Sequence, residues 1–242
     1  MNLLIDIGNS GAKVAVADKS RLLTVERYDK LTFEVLQPFL EQYRPEAAIC
    51  SSVADKNEQS AICEMLNKYV KKVISFDHTT PVPIKNYYAT PETLGFDRLA
   101  AAVGANYLFP ATDCLIFDCG TAITIDFINR NGEFLGGNIS PGLHTRFKAL
   151  NTYTANLPLE DIAENVPVMG TTTATAIQAG VLQGLSYEIE TYINKNPHCT
   201  IIFTGGDALF FVRNIKKSIF VVCNLVIVGL NRIVNYNVYN TQ

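Results

Sequence analysis

The sequence predicts an α/β protein built from two related halves. The stretch LLIDIGNSGAKVAVAD at 3–18 is an apolar run that reaches Asp6, turns through small residues and begins a second apolar run. LIFDCGTAITIDF at 115–127 has the same layout, with Asp118 in the place of Asp6. Helical periodicity alternates with strand-like runs along the chain. These observations indicate an α/β fold with an internal duplication.

The first half alternates strands with helices. The predicted elements are three strands in the first 28 residues, a helix near 32–43, a strand at 47–53, a helix near 57–70 and a strand at 72–77. The segment TTPVPIKNYYATPE at 79–92 contains prolines, which fix φ and remove backbone donors, so it is predicted to be an irregular connection or a ligand-facing loop. An Ala-rich helix follows from Gly95.

The second half repeats the strand, turn and strand from Leu115 and continues with GEFLGGNISPG at 132–142. Residues 172–194 carry apolar side chains at every fourth position, which predicts one face of a long helix. TIIFTGGDALFF at 200–211 is typical of a strand, a glycine turn and a helix, and a last helix is predicted near 224–237. The predicted lobes are 1–110 and 111–242.

Composition argues against several classes of function. Twenty Lys and Arg against 23 Asp and Glu give a net charge of −3 without a basic tract, so no nucleic-acid partner is expected. Six cysteines without a Cys-x-x-Cys pair indicate neither zinc nor disulfides, and they fit a reduced, cytoplasmic protein. No signal peptide is recognised, and the near-apolar run 219–230 is too short to span a bilayer. No membrane role is expected.

The sequence contains no Walker A loop and no G-x-G-x-x-G fingerprint. The two Asp-x-Gly hairpins are therefore the candidate phosphate-binding elements. Small turn residues let backbone N–H groups approach phosphate oxygens, and a strand-end aspartate can hold Mg²⁺, usually through its waters. A single hairpin is explained equally well by a tight glycine turn. Two copies followed by TGGDA at 204–208 favour nucleotide binding.

The chain carries five motifs, DIGNS (6–10), LGFDR (94–98), DCGTAITID (118–126), GGNISPG (136–142) and TGGDA (204–208). Together they resemble type III pantothenate kinase, a family within the acetate and sugar kinase, Hsp70 and actin superfamily. The match covers nearly the whole chain in the right order. Ser10 stands where the family usually has threonine, and the hydroxyl is kept. The resemblance implies two duplicated ribonuclease-H-like (actin-like ATPase) lobes with a nucleotide cleft between them.

The function implied by the resemblance is ATP-dependent phosphorylation of pantothenate to 4'-phosphopantothenate, the first step of coenzyme A biosynthesis. The implied cofactors are ATP, Mg²⁺ and a monovalent cation, K⁺ or NH₄⁺. Two alternatives are a kinase for another small hydroxy acid or sugar, and a nucleotide-binding regulatory or accessory factor without kinase activity. Asp6, Asp97 and Asp118 together favour an enzyme, because a factor without chemistry need not keep all three.

The resemblance also assigns site residues. Asp97 would be the catalytic base, Asp6 and Asp118 would organise the metal, and Asp118 or Asp126 would hold the monovalent cation. The expected nucleotide contacts are Asp6, Gly8, Asn9, Ser10, Lys13, Gly120, Thr121, Gly205 and Gly206. The expected pantothenate contacts are Tyr88, Gly95, Phe96, Asp97, Arg98 and Thr173.

Some of these residues have a purely structural alternative. Asp97 and Arg98 suit the start of a helix near Leu99 equally well, as cap and charge. Tyr88 in a proline-bearing loop fits simple packing, and Thr172 competes with Thr173 for the substrate, either of them being a suitable N-cap.

A homodimer with active sites at the subunit interface is expected, partly from the resemblance and partly because two lobes leave few residues for a separate lid. The candidate surface combines small residues of the two predicted helices at 97–107 and 172–194, which also fit packing inside one subunit. They are Ala100, Ala101, Ala102, Ala179, Gly180 and Gly184.

Overall fold

The computed structural model describes residues 1–52, 56–163, 165–215 and 217–239. The strands are β1 Asn2–Gly8, β2 Gly11–Asp18, β3 Arg21–Tyr28, β4 Ala47–Ser52, β5 Lys72–Ser75, β6 Lys85–Asn86, β7 Cys114–Cys119, β8 Ala122–Ile128, β9 Glu133–Pro141, β10 Thr200–Thr204 and β11 Ile219–Val221. The helices are α1 Phe33–Tyr43, α2 Lys56–Leu66, α3 Phe96–Leu108, α4 Leu143–Tyr153, α5 Thr173–Lys195, α6 Ala208–Asn214 and α7 Leu225–Tyr239. A short 3₁₀ helix covers Pro91–Thr93.

The first sheet has the strand order β3-β2-β1-β4-β5. β1 is antiparallel to β2 and parallel to β4, and β5 extends the parallel side. Side chains alternate between its faces, so Leu3, Ile5 and Ile7 join one core cluster with residues of α1 and α2. The opposite face of β1 meets α7, where Asn2 donates through Nδ2 to Asn231 Oδ1 at 2.9 Å.

The second sheet has the order β11-β10-β7-β8-β9-β6. β10 is parallel to both β7 and β11. Apart from β6 at its edge, the second sheet has the spatial order β9-β8-β7-β10-β11. When its strands are numbered in chain order, this arrangement is the same as β3-β2-β1-β4-β5 of the first sheet. The predicted α/β fold with two related lobes is therefore confirmed.

The chain forms two compact units. The first comprises Met1–Thr112, Phe127–Gly136 and Asn224–Gln242, and the second comprises Asp113–Asp126 and Gly137–Cys223. The predicted boundary at 110/111 lies next to the first of these breaks. The C-terminal helix, however, which the sequence assigned to the second lobe, groups with the first unit because α7 packs along α3.

The α3–α7 contact is close because glycine lies on both sides of it. A Cβ at Gly104 would lie 2.6 Å from the backbone oxygen of Leu225, and a Cβ at Gly229 would overlap the backbone oxygen of Ala100. Ala100, Ala101 and Ala102 are accordingly buried within this unit. The expectation that these three alanines form a subunit surface is wrong, and their structural alternative is correct.

Several local elements differ from the sequence prediction. α2 ends at Leu66 rather than 70, because residues 67–70 continue as turns bonded back to the helix end. α4, β6, β9 and β11 were not predicted as elements, and Val53 of the predicted strand at 47–53 lies outside the described residues. In the described ranges no helix is long and apolar enough to cross a membrane.

Candidate active site

The first Asp-x-Gly hairpin joins β1 to β2 in the first unit. Gly8 pairs with Gly11, and the exposed turn residues Asn9 and Ser10 lie between them. Gly11 has φ +127° and a Cβ there would lie 2.6 Å from the backbone oxygen of Tyr28, so the turn requires glycine for both conformation and space. The small turn leaves its backbone open to a ligand.

Charged side chains surround this hairpin. The strand register places Lys13 of β2 directly opposite Asp6 of β1, and Arg27 of β3 opposite Lys13. Directly opposed side chains lie on the same face of a sheet. The Arg27 guanidinium donates to the backbone oxygen of Ser10 at 3.0 Å and to its Oγ at 3.3 Å. A cation therefore fixes the turn, and a second cation stands beside the expected metal-organising aspartate.

Asp97 lies in the first turn of α3, which begins at Phe96 with Gly95 as N-cap. The helix starts three residues earlier than the position near Leu99 that the structural alternative assumed. Asp97 is therefore not the cap, although its Oδ1 accepts the Arg98 backbone N–H at 2.7 Å. Burial raises the pKa of Asp97, and it outweighs the Arg98 N–H bond and the Arg98 charge, which lower it. A half-buried carboxylate of raised pKa suits a general base, because it is partly desolvated and still accessible to a substrate.

The two residues before Asp97, Gly95 and Phe96, help to position it. A Cβ at Gly95 would lie 2.6 Å from Asp97 Oδ1, so the carboxylate occupies space that only glycine leaves open. The Phe96 ring is buried against Phe76, with ring centroids 5.3 Å apart. Phe96 is thus a core residue that anchors the helix start, and its side chain is directed into the core.

Tyr88 and Arg98 form a packed pair in the same unit. The guanidinium carbon of Arg98 lies 5.5 Å from the centroid of the Tyr88 ring, within cation–π range. Arg98 is only 4% exposed, and Tyr88 stacks on Phe134 at a centroid distance of 6.3 Å. Gly136 lies against the Tyr88 ring, since a Cβ at Gly136 would be 3.3 Å from that ring. The packing expected of Tyr88 is real, and it places Tyr88 beside the residue that follows Asp97.

The second hairpin lies between β7 and β8 in the second unit. Asp118 is in β7, and Gly120 and Thr121 form the turn. The Thr121 backbone oxygen accepts the Gly142 N–H at 3.0 Å and the Thr145 hydroxyl at 2.7 Å. Because Gly142 is the N-cap of α4, the positive end of this helix lies against the hairpin.

The TGGDA turn packs on the same hairpin. The Asp207 backbone N–H donates to the Cys119 oxygen at 3.0 Å. Gly205 has φ +90°, and a Cβ there would lie 2.6 Å from Asp118 Oδ1. Gly206 has open space where its Cβ would be. Gly205 therefore closes the turn onto Asp118, while Gly206 leaves an accessible surface beside it.

Thr172 and Thr173 have different structural roles at the start of α5. Thr172 is the N-cap, and its Oγ1 accepts the Thr175 N–H at 3.2 Å in a capping box. Thr173 is the exposed first residue of the helix. The capping role thus belongs to Thr172, which leaves Thr173 as the threonine of the pair outside the cap.

The metal donors are dispersed. Across the described ranges, no three His, Cys, Asp or Glu side chains cluster as a metal site. Asp126 is buried in β8, and Gly137 of β9 packs directly on it. The small number of protein carboxylates at each hairpin is compatible with Mg²⁺, because this ion keeps several waters and binds phosphate oxygens as well.

The structure brings together three groups of predicted residues. In the first unit these are the hairpin with Asp6 and Lys13, and the group of Tyr88, Gly95, Asp97 and Arg98. In the second unit the group is Asp118, Gly120, Thr121 and Gly205. Sequence reasoning missed Arg27 and Thr145, because their contacts depend on strand register and on α4.

Two curated relatives are named type III pantothenate kinase. The relative from Phocaeicola vulgatus is 44% identical over 241 residues, covering 98% of this chain and 99% of its own. The relative from Cytophaga hutchinsonii is 41% identical over 242 residues, covering 98% and 100%.

Two solved structures have the same fold. A Campylobacter jejuni protein described as a Baf family transcriptional activator is 24% identical with a TM-score of 0.65, covering 97% of this chain and 98% of its own. The Clostridium difficile activator of 2-hydroxyisocaproyl-CoA dehydratase, with bound ADPNP, is 13% identical with a TM-score of 0.58, covering 100% and 96%.

The family model that matches this chain describes type III pantothenate kinase and spans residues 2–195. Together with the two full-length curated relatives, this match shows that the chain belongs to the type III pantothenate kinase family.

Proposed function

We propose that this chain transfers the γ-phosphoryl group of ATP to the primary hydroxyl of pantothenate, giving 4'-phosphopantothenate and ADP. The observation that carries the proposal is the half-buried Asp97 carboxylate, whose pKa is raised by desolvation and which lies next to the Tyr88–Arg98 pair. Family membership supplies the substrate. This reaction is the first step of coenzyme A biosynthesis.

The proposed chemistry requires positioning and one proton transfer. As the hydroxyl oxygen forms its bond to the γ-phosphorus, the bond to the β–γ bridging oxygen breaks and ADP leaves. The hydroxyl proton passes to the Asp97 carboxylate, whose raised pKa favours holding it. Arg98 acts on this carboxylate as a neighbouring charge, and its stacking on Tyr88 restricts its side chain.

Each phosphate hairpin has its own part in the proposal. Gly8, Asn9, Ser10 and Lys13 would contact the phosphates at the first hairpin, and Asp6 would hold Mg²⁺ largely through waters. At the second hairpin, Asp118 would bind metal, Gly120 and Thr121 would contact phosphate, and Gly205 and Gly206 would contact the adenosine. When bound, Mg²⁺ neutralises phosphate charge. Tyr88, Gly95 and Thr173 remain proposed pantothenate contacts.

Three further properties belong to the proposal. A monovalent cation, K⁺ or NH₄⁺, would bind through Asp118 or Asp126, since hard oxygen donors suit such ions. The six cysteines are free thiols, four of them buried, which supports a cytoplasmic location. The homodimer is retained with a smaller candidate surface on α5, where Gly180 and Gly184 have open space.

A coupled ADP-release assay tests the proposed reaction. Purified protein with ATP and Mg²⁺ should release ADP when pantothenate is added, and should not do so with other small hydroxy acids or sugars. The same assay in potassium buffer and in K⁺-free Tris tests the cation. Nucleotide binding without release of ADP on any of these acceptors would instead support a regulatory factor, and equal rates in both buffers would contradict the cation proposal.

A further inference from the structure

Ser51 of β4 carries a buried hydroxyl that the site described so far does not use. Its side chain is 0% exposed, and its Oγ has no hydrogen-bond partner within the described part of the chain. Buried polar groups are nearly always paired, because an unpaired one loses its hydration without compensation. A hydroxyl in this condition calls for an explanation.

The strand register places Ser51 next to the first phosphate hairpin. Ser51 is aligned with Asp6 on the parallel neighbour β1, Asp6 with Lys13, and Lys13 with Arg27. Aligned residues of neighbouring strands point to the same face of a sheet. Arg27, Lys13, Asp6 and Ser51 therefore form a polar row across four strands, and Ser51 stands at its inner end.

The row lies on the face of the sheet opposite to the core cluster of α1 and α2. Cys50, one residue before Ser51, belongs to that cluster, so Ser51 points the other way. Ile49, two residues before Ser51 and on its face, is fully buried and apolar. Ser51 places a hydroxyl at a buried position of this face, where packing alone does not require one.

We propose that Ser51 is a nucleotide-positioning residue whose Oγ hydrogen-bonds an oxygen of the Mg²⁺–nucleotide held at Asp6. That oxygen belongs either to a phosphate or to a metal-bound water. The hydroxyl stays unpaired within the protein so that this bond forms only on binding. The inference rests on the proposed function, because that proposal places phosphate and metal at Asp6.

The test measures binding and stability without turnover. Ser51→Ala removes the hydroxyl from a buried site while keeping the strand, and calorimetry with a non-hydrolysable ATP analogue and Mg²⁺, in the absence of pantothenate, gives Kd. We expect Kd to rise about tenfold, the scale of a hydrogen bond to a charged group. The melting temperature of the ligand-free protein should stay the same or rise, because an unpaired buried group has been removed.

Ser52→Ala is the matched control, one residue along the same strand and on its other face. Ser52 is buried but has an interaction within the protein. Its removal should lower the melting temperature of the ligand-free protein and leave Kd unchanged. A raised Kd without a lower melting temperature in Ser51→Ala, against a lower melting temperature with an unchanged Kd in Ser52→Ala, separates a hydroxyl kept for ligand from one kept for structure.

Repeating the titration with EDTA in place of Mg²⁺ identifies the oxygen. A loss that persists in EDTA assigns the bond to phosphate, and a loss seen only with Mg²⁺ assigns it to a metal-bound water. An unchanged Kd in Ser51→Ala, with or without a lower melting temperature, overturns the proposal. The proposed function fails separately, if the wild-type protein binds nucleotide but releases no ADP with pantothenate.

Discussion

Asp97 shows how burial and hydrogen bonding compete at one carboxylate. Burial raises the pKa of Asp97, while the Arg98 N–H and the Arg98 charge lower it, and burial is the larger effect. The charged form is therefore less stable in the folded protein than in the unfolded chain. Stability linked to this group is fully present below the ordinary Asp pKa and is lost as pH rises through the folded pKa.

The first prediction concerns Asp97→Asn. The variant should lower kcat by roughly 10²-fold or more, the scale of general-base catalysis, because the amide cannot accept the hydroxyl proton. It should also melt higher than the wild type at pH 7, since a partly desolvated charge is gone, and this advantage should shrink as pH falls towards the ordinary Asp value. Steady-state kinetics and thermal melts across pH measure both effects, and a kcat near wild type would remove Asp97 from the mechanism.

A second prediction concerns the space beside this carboxylate. Gly95→Ala places a Cβ 2.6 Å from Asp97 Oδ1, so the carboxylate must move away from the Arg98 N–H. Misplacing a catalytic group by about 1 Å costs roughly 10²-fold in rate, and we expect a fall in kcat on that scale. The variant's nucleotide Kd should not change. Glu92→Ala, an exposed change in the preceding 3₁₀ turn, is the control and should leave kcat intact.

The sequence predicted the placement of residues that belong to a local motif. Asp6, Asp97 and Gly205 lie at the strand ends and helix start where their motifs placed them. Arg27 and Ser51 escaped notice because each is one ordinary residue in a strand. Their positions depend on which residues of neighbouring strands are aligned, and register is a property of the folded sheet.

At the scale of elements, the prediction succeeded where periodicity was long and failed where it was short. α5 runs Thr173–Lys195 against a predicted 172–194, because a long apolar face leaves little choice. β11 is three residues long and only residues 222–224 separate it from α7, so one apolar run contains β11 and the start of α7 and periodicity cannot divide them. α4 buries only Leu143 and Phe147, which is too few apolar positions to predict a helix.

The third prediction tests the contact between α3 and α7. Gly229→Ala would drive a methyl group into the backbone oxygen of Ala100, and α7 would have to move away from α3. Overpacking of this kind costs about 1–3 kcal/mol of unfolding free energy. Denaturant unfolding of Gly229→Ala beside the wild type measures this loss, and a stability equal to that of the wild type would contradict the close contact.

For the whole molecule, the sequence predicted the duplication but not the complete composition of its units. The two hairpins mark the start of each half, and the repeated strand order follows from them. α7 groups with the first unit although it lies at the far end of the chain. No local sequence pattern predicts this grouping of α7, because the α3–α7 contact depends on Gly104 and Gly229, which are more than a hundred residues apart in the sequence.

The last prediction concerns assembly. Of the small residues first expected at a subunit interface, Gly180 and Gly184 remain exposed, with Tyr187 59% exposed on the same face of α5. Residues spaced by four and by three adjoin on a helix, so glycines beside an exposed aromatic ring allow another helix to approach closely. A C₂ dimer would set this face against its own copy.

Sedimentation at micromolar concentration should then give twice the chain mass of 26.7 kDa. Gly184→Arg should shift the protein towards monomer while circular dichroism stays unchanged, because arginine is a good helix former and the site is open. Ala61→Arg, an exposed change in α2, is the control and should remain dimeric. If the partner completes the pantothenate site, Gly184→Arg should also raise KM for pantothenate, whereas a monomer of full activity would place the whole site within one chain.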